Sequence, residues 1–207
     1  MAEKYKKSIA EQNSVDIVWK LLMEPGFSAL RSVIYSNEDE LKRFRQLVVN
    51  TVMATDIADK ELGALRKARW NTAFSEETKD TDANLTVNRK ATIVIEHLIQ
   101  ASDISHTMQH WKVYLHWNKC FFMECYGAYK AGRADTDPSI GWYKGEIGFF
   151  DFYIIPLAKK LATCGVFGVS SHEYLNYAEA NREEWIEKGE DIVKRYIAEY
   201  DAMNSKK

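Results

Sequence analysis

Apolar residues recur three and four positions apart over most of this chain, the spacing that lines one face of an α-helix. Val15, Val18, Trp19 and Leu22 form one stripe, with Asn13 placed to cap it and Pro25-Gly26 placed to end it at about Met23. Leu41, Phe44, Leu47, Val48 and Val52 form a second behind the caps Ser36 and Asn37, and a third helix is expected from about Ala58 to Trp70. The stretch SEETKDTDAN from Ser75 to Asn84 is polar and acidic, which predicts a loop over residues 73–85. Helical spacing resumes from about Thr86 to Ala101 and from about Met108 to Ala131. RADTDPSIG marks a second loop over 132–141, before a helix around Gly145 to Cys164 and a Gly165-Val166-Phe167-Gly168 turn. A terminal pair of helices follows. Ser170 or Ser171 caps the first, and Trp185, Ile192, Val193, Tyr196 and Ile197 stripe the second. Alternation with period two is scarce and no internal repeat is present, so the expected fold is all-α in a single domain.

Composition narrows the class without choosing a function. A chain of 207 residues buries a sizeable core without staples, and 46% hydrophobic with 28% charged residues is ordinary for a globular protein. A net charge of −2 gives no electrostatic footprint for nucleic acid or an anionic membrane surface. Cys120, Cys125 and Cys164 form no CxxC pair, which argues against a disulfide framework or a zinc knuckle and for reduced thiols. The N-terminus is polar, with no signal-like apolar run. Nothing approaches the roughly 18 apolar residues of a spanning helix, and GFFDFYIIPLA is broken by Asp151 and Pro156. A cytoplasmic protein is expected, alone or as part of a larger membrane-anchored one.

Two strings carry the chemistry. QASDISHT, Gln100 to Thr107, puts Asp103 at a break between helical stretches; on its own, an aspartate between Ser102 and Ser105 is a cap or turn former. WYKGEIGFFDFYIIPLAKKL, Trp142 to Leu161, sets Glu146 three residues before Phe149 in an aromatic cluster, where helix surface and core packing are the plain readings. Together the strings resemble the C-terminal part of the catalytic domain of class I 3′,5′-cyclic-nucleotide phosphodiesterases. The family pattern is an aspartate, an aliphatic residue and a serine, with a tyrosine eleven and a tryptophan fourteen positions after the aspartate; Asp103, Ile104, Ser105, Tyr114 and Trp117 match it.

The resemblance implies a multi-helix bundle of the phosphodiesterase (HD-like) type, lacking its N-terminal helices, that hydrolyses 3′,5′-cyclic AMP or GMP to the 5′-monophosphate. It implies two divalent metals, zinc with magnesium or manganese, to activate water and neutralise the phosphate. Asp103 would be one metal ligand. The family's HNxxHxxD-like motif and HD pair, with its general-acid histidine, lie upstream of the matching segments. His97, His106, His110, His116 and His172 are in neither pattern, so a truncated domain, inactive alone, is expected. His106 stands where the family usually has an asparagine near the base; with His110 it is also an i, i+4 pair, a weaker metal candidate than polar surface or pocket lining.

Further segments extend the resemblance. SIAEQN, Ser8 to Asn13, resembles the family stretch that precedes a histidine pair; Glu11 would orient a metal ligand or the bridging water, and the same residues also read as an S-x-x-E capping box. In VMATDIADKEL, Ile57 fills the place of an apolar wall residue below the phosphate, while Asp56 reads as a helix cap. Phe149 matches the residue that stacks on the base, with Tyr114, His106, Phe121 and Cys125 lining the pocket. Glu146 replaces the family's base-reading glutamine, and an ionised carboxylate only accepts where an amide both donates and accepts. The implied partner is a cyclic nucleotide, with a homodimer or a missing N-terminal segment as further partners. The alternative is an inactive helical module that binds nucleotide or dimerises.

Overall fold

The computed structural model describes residues 3–74 and 83–205, and among them there are helices and turns but no strand. The all-α expectation holds. The chain gathers into two compact units, Met1–Asp103 and Ile104–Lys207.

The first unit holds α1 (Ile9–Leu22), a 3-10 turn (Pro25–Phe27), α2 (Ser28–Ile34), α3 (Glu38–Ala54), α4 (Lys60–Phe74) and α5 (Ala83–Asp103). Asn37 caps α3 as its sequence suggests, accepting from the Glu40 amide at 2.9 Å. α1 departs from expectation: it begins four residues before Asn13, behind Ser8 in the left-handed region at φ 45°. Its stripe is also only partly covered, with Val18 half exposed and no residue of α1 buried. The short helix α2 was not anticipated. Of the loop expected at 73–85, residues 73–74 close α4 and 83–85 open α5, and 75–82 lie outside the described residues.

In this unit α5 packs on α3 and α4. Trp70 is buried, stacked on Phe74 at 4.2 Å and tilted against His97 at 4.5 Å. Gln100 donates to the Ala54 carbonyl at 2.9 Å, and the Arg66 guanidinium donates to the Met53 carbonyl at 3.4 Å. Both bonds satisfy carbonyls that the end of α3 leaves without a helical partner.

The second unit opens with a 3-10 turn (Ser105–Met108) and α6 (Trp111–Lys130). After residues 132–141, which carry bends and a 3-10 turn at Pro138–Ile140, come α7 (Trp142–Phe149), a π-turn (Phe150–Ile154) and α8 (Ile155–Cys164). The π-turn has a cause in sequence. Pro156 offers no N–H and crowds the carbonyl four residues back, so the helix widens by one residue, and the Ile155 amide bonds Phe150 O. Widening keeps both Phe150 and Ile154 fully buried. Gly165 ends α8 at φ 65°, a conformation glycine takes without steric penalty.

The expected terminal pair is one helix, α9 (Ser171–Asn204), of 34 residues. It is the spine of the unit. Ala178, Trp185, Ile192, Val193 and Tyr196 bury one face of it against α6, α7 and α8. Asn181 donates to the Thr107 and Gln109 carbonyls at 2.9 and 2.7 Å, fixing the 3-10 turn. Trp185 Nε1 donates to Tyr143 O at 3.1 Å. No helix among the described residues is long and apolar enough to cross a membrane.

Candidate functional site

α6 and α7 present rows of side chains spaced four residues apart, and the two rows meet. Tyr114 and Asn118 come from α6, Trp142 and Glu146 from α7. Trp142 Nε1 donates to Asn118 Oδ1 at 3.3 Å, Asn118 Nδ2 donates to the Tyr114 hydroxyl at 3.4 Å, and that hydroxyl donates to Glu146 Oε2 at 2.8 Å. Three donors therefore point the same way and end on one carboxylate, so each polarises the next. Tyr114 is fully buried, edge-on to Phe150 at 5.3 Å and to Trp185 at 5.8 Å.

The electrostatics of this row follow from burial. Glu146 as a residue is half-buried, but its carboxyl is withdrawn from solvent, and burial raises its pKa against the lowering influence of Tyr114 and Asn118. The Tyr114 phenol is driven far above its ordinary range by burial first and by the neighbouring carboxylate second. It stays a donor at every physiological pH.

Around the row the expected pocket residues take distinct places. Phe149 is half-buried and stacked on Tyr153, 5.4 Å between centroids with planes 12° apart. Phe121 is 58% exposed and lies against Trp142 at 5.3 Å. Cys125 is half-buried, and burial raises its thiol pKa. His106 sits half-buried in the 3-10 turn. His110 is instead the N-cap of α6, its Nδ1 accepting from the Lys112 amide at 3.2 Å. The two histidines thus do not share a helix, which removes the i, i+4 metal pair. Asn118 and Trp142 were missed in the sequence. The available signal was an asparagine four residues from Tyr114 inside a buried aromatic row, where a polar group requires a partner.

The other expected site residues belong to the first unit. Asp103 is exposed as the last residue of α5, and Ile57 is 45% exposed in the turn between α3 and α4. Glu11 is half-buried in the first turn of α1. The capping box does not form, because Ser8 Oγ donates to Asp56 Oδ2 at 2.6 Å instead of capping its own helix. Asp56 also accepts from the Ala58 and Asp59 amides, each at 3.1 Å, and these bonds, Ser8 foremost, hold its carboxyl below the usual range. Asp59 takes the capping role at α4, accepting from the Glu61 and Leu62 amides. Among the described residues no three His, Cys, Asp or Glu side chains converge on a point that would hold an ion. The lone Asp103 carboxylate does not by itself fit a two-metal centre.

Comparison with known proteins decides the family. The sequence profile of the 3′5′-cyclic nucleotide phosphodiesterases matches residues 1–165. The chain belongs to the 3′,5′-cyclic nucleotide phosphodiesterase family. Two crystal structures of the phosphodiesterase domain of the rhodopsin phosphodiesterase of the choanoflagellate Salpingoeca rosetta share its fold. One aligns with TM-score 0.65 and 21% identity over 95% of this chain and 61% of that chain. The other aligns with TM-score 0.66 and 20% identity over 98% and 60%. The chain thus spans about three-fifths of the phosphodiesterase structures it matches. No curated protein matches it. The family profile ends one residue after α8, whereas the structural likeness continues through most of α9, the helix that supports the Tyr114 row.

Proposed function

We propose that this chain carries the base-recognising part of a cyclic-nucleotide phosphodiesterase, with Glu146 reading the purine edge and Phe149 stacking on the ring. The hydrolysis of a 3′,5′-cyclic nucleotide belongs to the complete metal centre of the family, to which this chain contributes Asp103 as a ligand, with Glu11 orienting a ligand or water and Ile57 as an apolar wall. Tyr114, His106 and Phe121 complete the pocket. The 207 residues by themselves bind nucleotide without turning it over.

The observation that carries the reading is the row of donors ending on Glu146. Tyr114 gives its proton donor to Oε2, which fixes the carboxylate and orients it three residues ahead of Phe149. An ionised carboxylate only accepts. It suits guanine, whose N1–H and amino group are adjacent donors, and it repels the adenine N1 lone pair beside the single adenine amino donor. A protonated Glu146 both donates and accepts, as glutamine does, and admits either purine. Because burial raises the Glu146 pKa, that change falls at higher pH than for an ordinary glutamate.

The test is binding of cyclic GMP and cyclic AMP to the 207-residue protein across pH. The preference for guanine is expected to grow as pH rises through the Glu146 titration and to become independent of pH in Glu146→Gln. Phe149→Ala is expected to weaken both nucleotides by the ~1–3 kcal/mol typical of base stacking. A ratio that is flat in the parent, or no binding of either nucleotide, refutes the assignment. Metal-dependent hydrolysis that disappears in Asp103→Ala would show that the chain assembles a working centre and refute its restriction to binding.

A further inference from the structure

His116 and Cys120 stand one turn apart on the outer face of α6, away from the Tyr114 row. Both are exposed, and Cys120 Sγ lies 3.8 Å from His116 Nε2. We propose that this pair is a bidentate site for a borderline or soft divalent ion, of which zinc is the representative. The inference does not depend on the base-recognition reading.

The geometry is close to what an ion requires. In a tetrahedral zinc site the sulfur sits at about 2.3 Å and the imidazole nitrogen at about 2.0–2.1 Å, which places the two ligand atoms ~3.6 Å apart. The observed separation needs to close by only a few tenths of an ångström, within the reach of a side-chain rotation at an exposed position. A helix supplies this spacing because residues i and i+4 share a face. The ligand atom on the ring is Nε2, so Nδ1 remains free to carry the proton and hydrogen-bond to water, the tautomer that metal-binding histidines adopt.

The surrounding charges permit a cation. Lys119, beside the pair in sequence, has its ammonium held by Glu199 of α9 in an ion pair. On the same side of α6, Glu124, exposed one turn beyond Cys120, carries a negative charge and Lys112, exposed one turn before His116, a positive one, so the face is neutral overall. Thiolate with imidazole selects zinc, cobalt or nickel over magnesium, manganese and calcium, which prefer oxygen donors. Binding is a proton exchange: the Cys120 thiol releases its proton to solvent as the sulfur–metal bond forms, and water fills the remaining coordination positions. With two protein ligands the site is open, unlike a closed structural zinc site.

Cobalt is the probe, titrated into the reduced 207-residue protein. A sulfur-to-cobalt charge-transfer band is expected, displaced by zinc, lost in Cys120→Ala and in His116→Ala, and retained in Cys125→Ala and Asp103→Ala. Both positions are exposed, so helical circular dichroism and the melting temperature are expected to stay at the parent values. A second readout needs no variant: zinc should slow alkylation of Cys120, mapped by mass spectrometry, and leave Cys164 unaffected. Absence of the sulfur band, its survival in His116→Ala, or Cys120 alkylation indifferent to zinc would each overturn the site.

Discussion

Tyr114→Phe removes one oxygen from a fully buried ring and nothing else, so its consequence can be worked from the hydrogen-bond row. The hydroxyl donates to Glu146 at 2.8 Å and accepts from Asn118 at 3.4 Å. Hydrogen bonds to a charged group contribute about 1.5–3 kcal/mol, and the longer Asn118 contact adds less. Where Glu146 is ionised, the variant is expected to lose about 2–3 kcal/mol, most of it through a carboxylate that no longer has the Tyr114 donor. Glu146→Gln behaves differently. The amide oxygen still accepts from Tyr114, and no charge is buried, so its stability is expected to stay within about 1 kcal/mol of the parent.

The sign of the pH dependence follows from the direction of the Glu146 shift. Its folded pKa is raised by burial, so between the unfolded carboxylate range and the folded value the native state binds more protons than the unfolded one. Stability from this group therefore falls as pH rises through that window. In Tyr114→Phe the ionised form has lost its donor, so the fall is larger and the window extends upward. In Glu146→Gln this component is absent. Urea unfolding of both single variants and the double variant, followed by circular dichroism at several pH values, checks all of this. A double-mutant coupling of at least about 1 kcal/mol is expected at neutral pH. Single effects that add within about 0.5 kcal/mol would mean that the Tyr114 bond gains nothing from the charge on Glu146, and the oriented carboxylate would be lost with it.

Two further outcomes test the packing. An alanine Cβ at Gly189 would lie 2.8 Å from both the Trp185 and the Tyr143 rings, and Trp185 is fully buried. Gly189→Ala is expected to destabilise by about 1–3 kcal/mol of overpacking, outweighing the ~1 kcal/mol that alanine gains over glycine in a helix, and a lowered melting temperature checks it. Ser8 holds the left-handed conformation and donates to Asp56, so Ser8→Ala loses a bond of about 1 kcal/mol while keeping the strained φ. Ser8→Gly relieves that strain and is expected to be the milder change in urea unfolding. The depressed Asp56 pKa contributes stability that is present above its unfolded value and lost as pH falls through its folded one; both variants should shrink that acid-side loss.

What the sequence disclosed was local. Asn37 caps α3 because the amide it serves is three residues away, whereas the π-turn at Phe150–Ile154 falls inside what was expected to be an ordinary helix. Tyr114, Glu146 and Phe149 were singled out in the sequence, but their partners Asn118 and Trp142 were not, although helical spacing puts Tyr114 beside Asn118 and Trp142 beside Glu146. What escaped were partners distant in sequence. Ser8 looks like the start of a capping box, but its hydroxyl finds Asp56, 48 positions on, and the helix begins on a left-handed residue instead. The terminal pair of helices is one helix because no proline lies between Ser171 and Asn204, and Asn181 is held by carbonyls of the 3-10 turn.

The same distinction explains why α9 matters to the Tyr114–Glu146 row although the family profile stops at residue 165. Tyr114 is the donor that orients Glu146, and its ring is pinned edge-on by Trp185 of α9. Trp185 in turn donates to the Tyr143 carbonyl, on the first turn of α7, and Tyr143 returns a bond to the Ile186 carbonyl at 3.0 Å. Tyr196 adds a bond to the Leu115 carbonyl of α6 at 3.2 Å. One helix thus holds the two that carry the hydrogen-bonded row, α6 through Tyr196 and α7 through Trp185. The relative placement of Tyr114 and Glu146 is set by residues that no family motif names. Sequence variation in α9 at Trp185 or Tyr196 would reach the Glu146 carboxylate by moving its donor, without touching Glu146 or Phe149, the two residues proposed to meet the nucleotide.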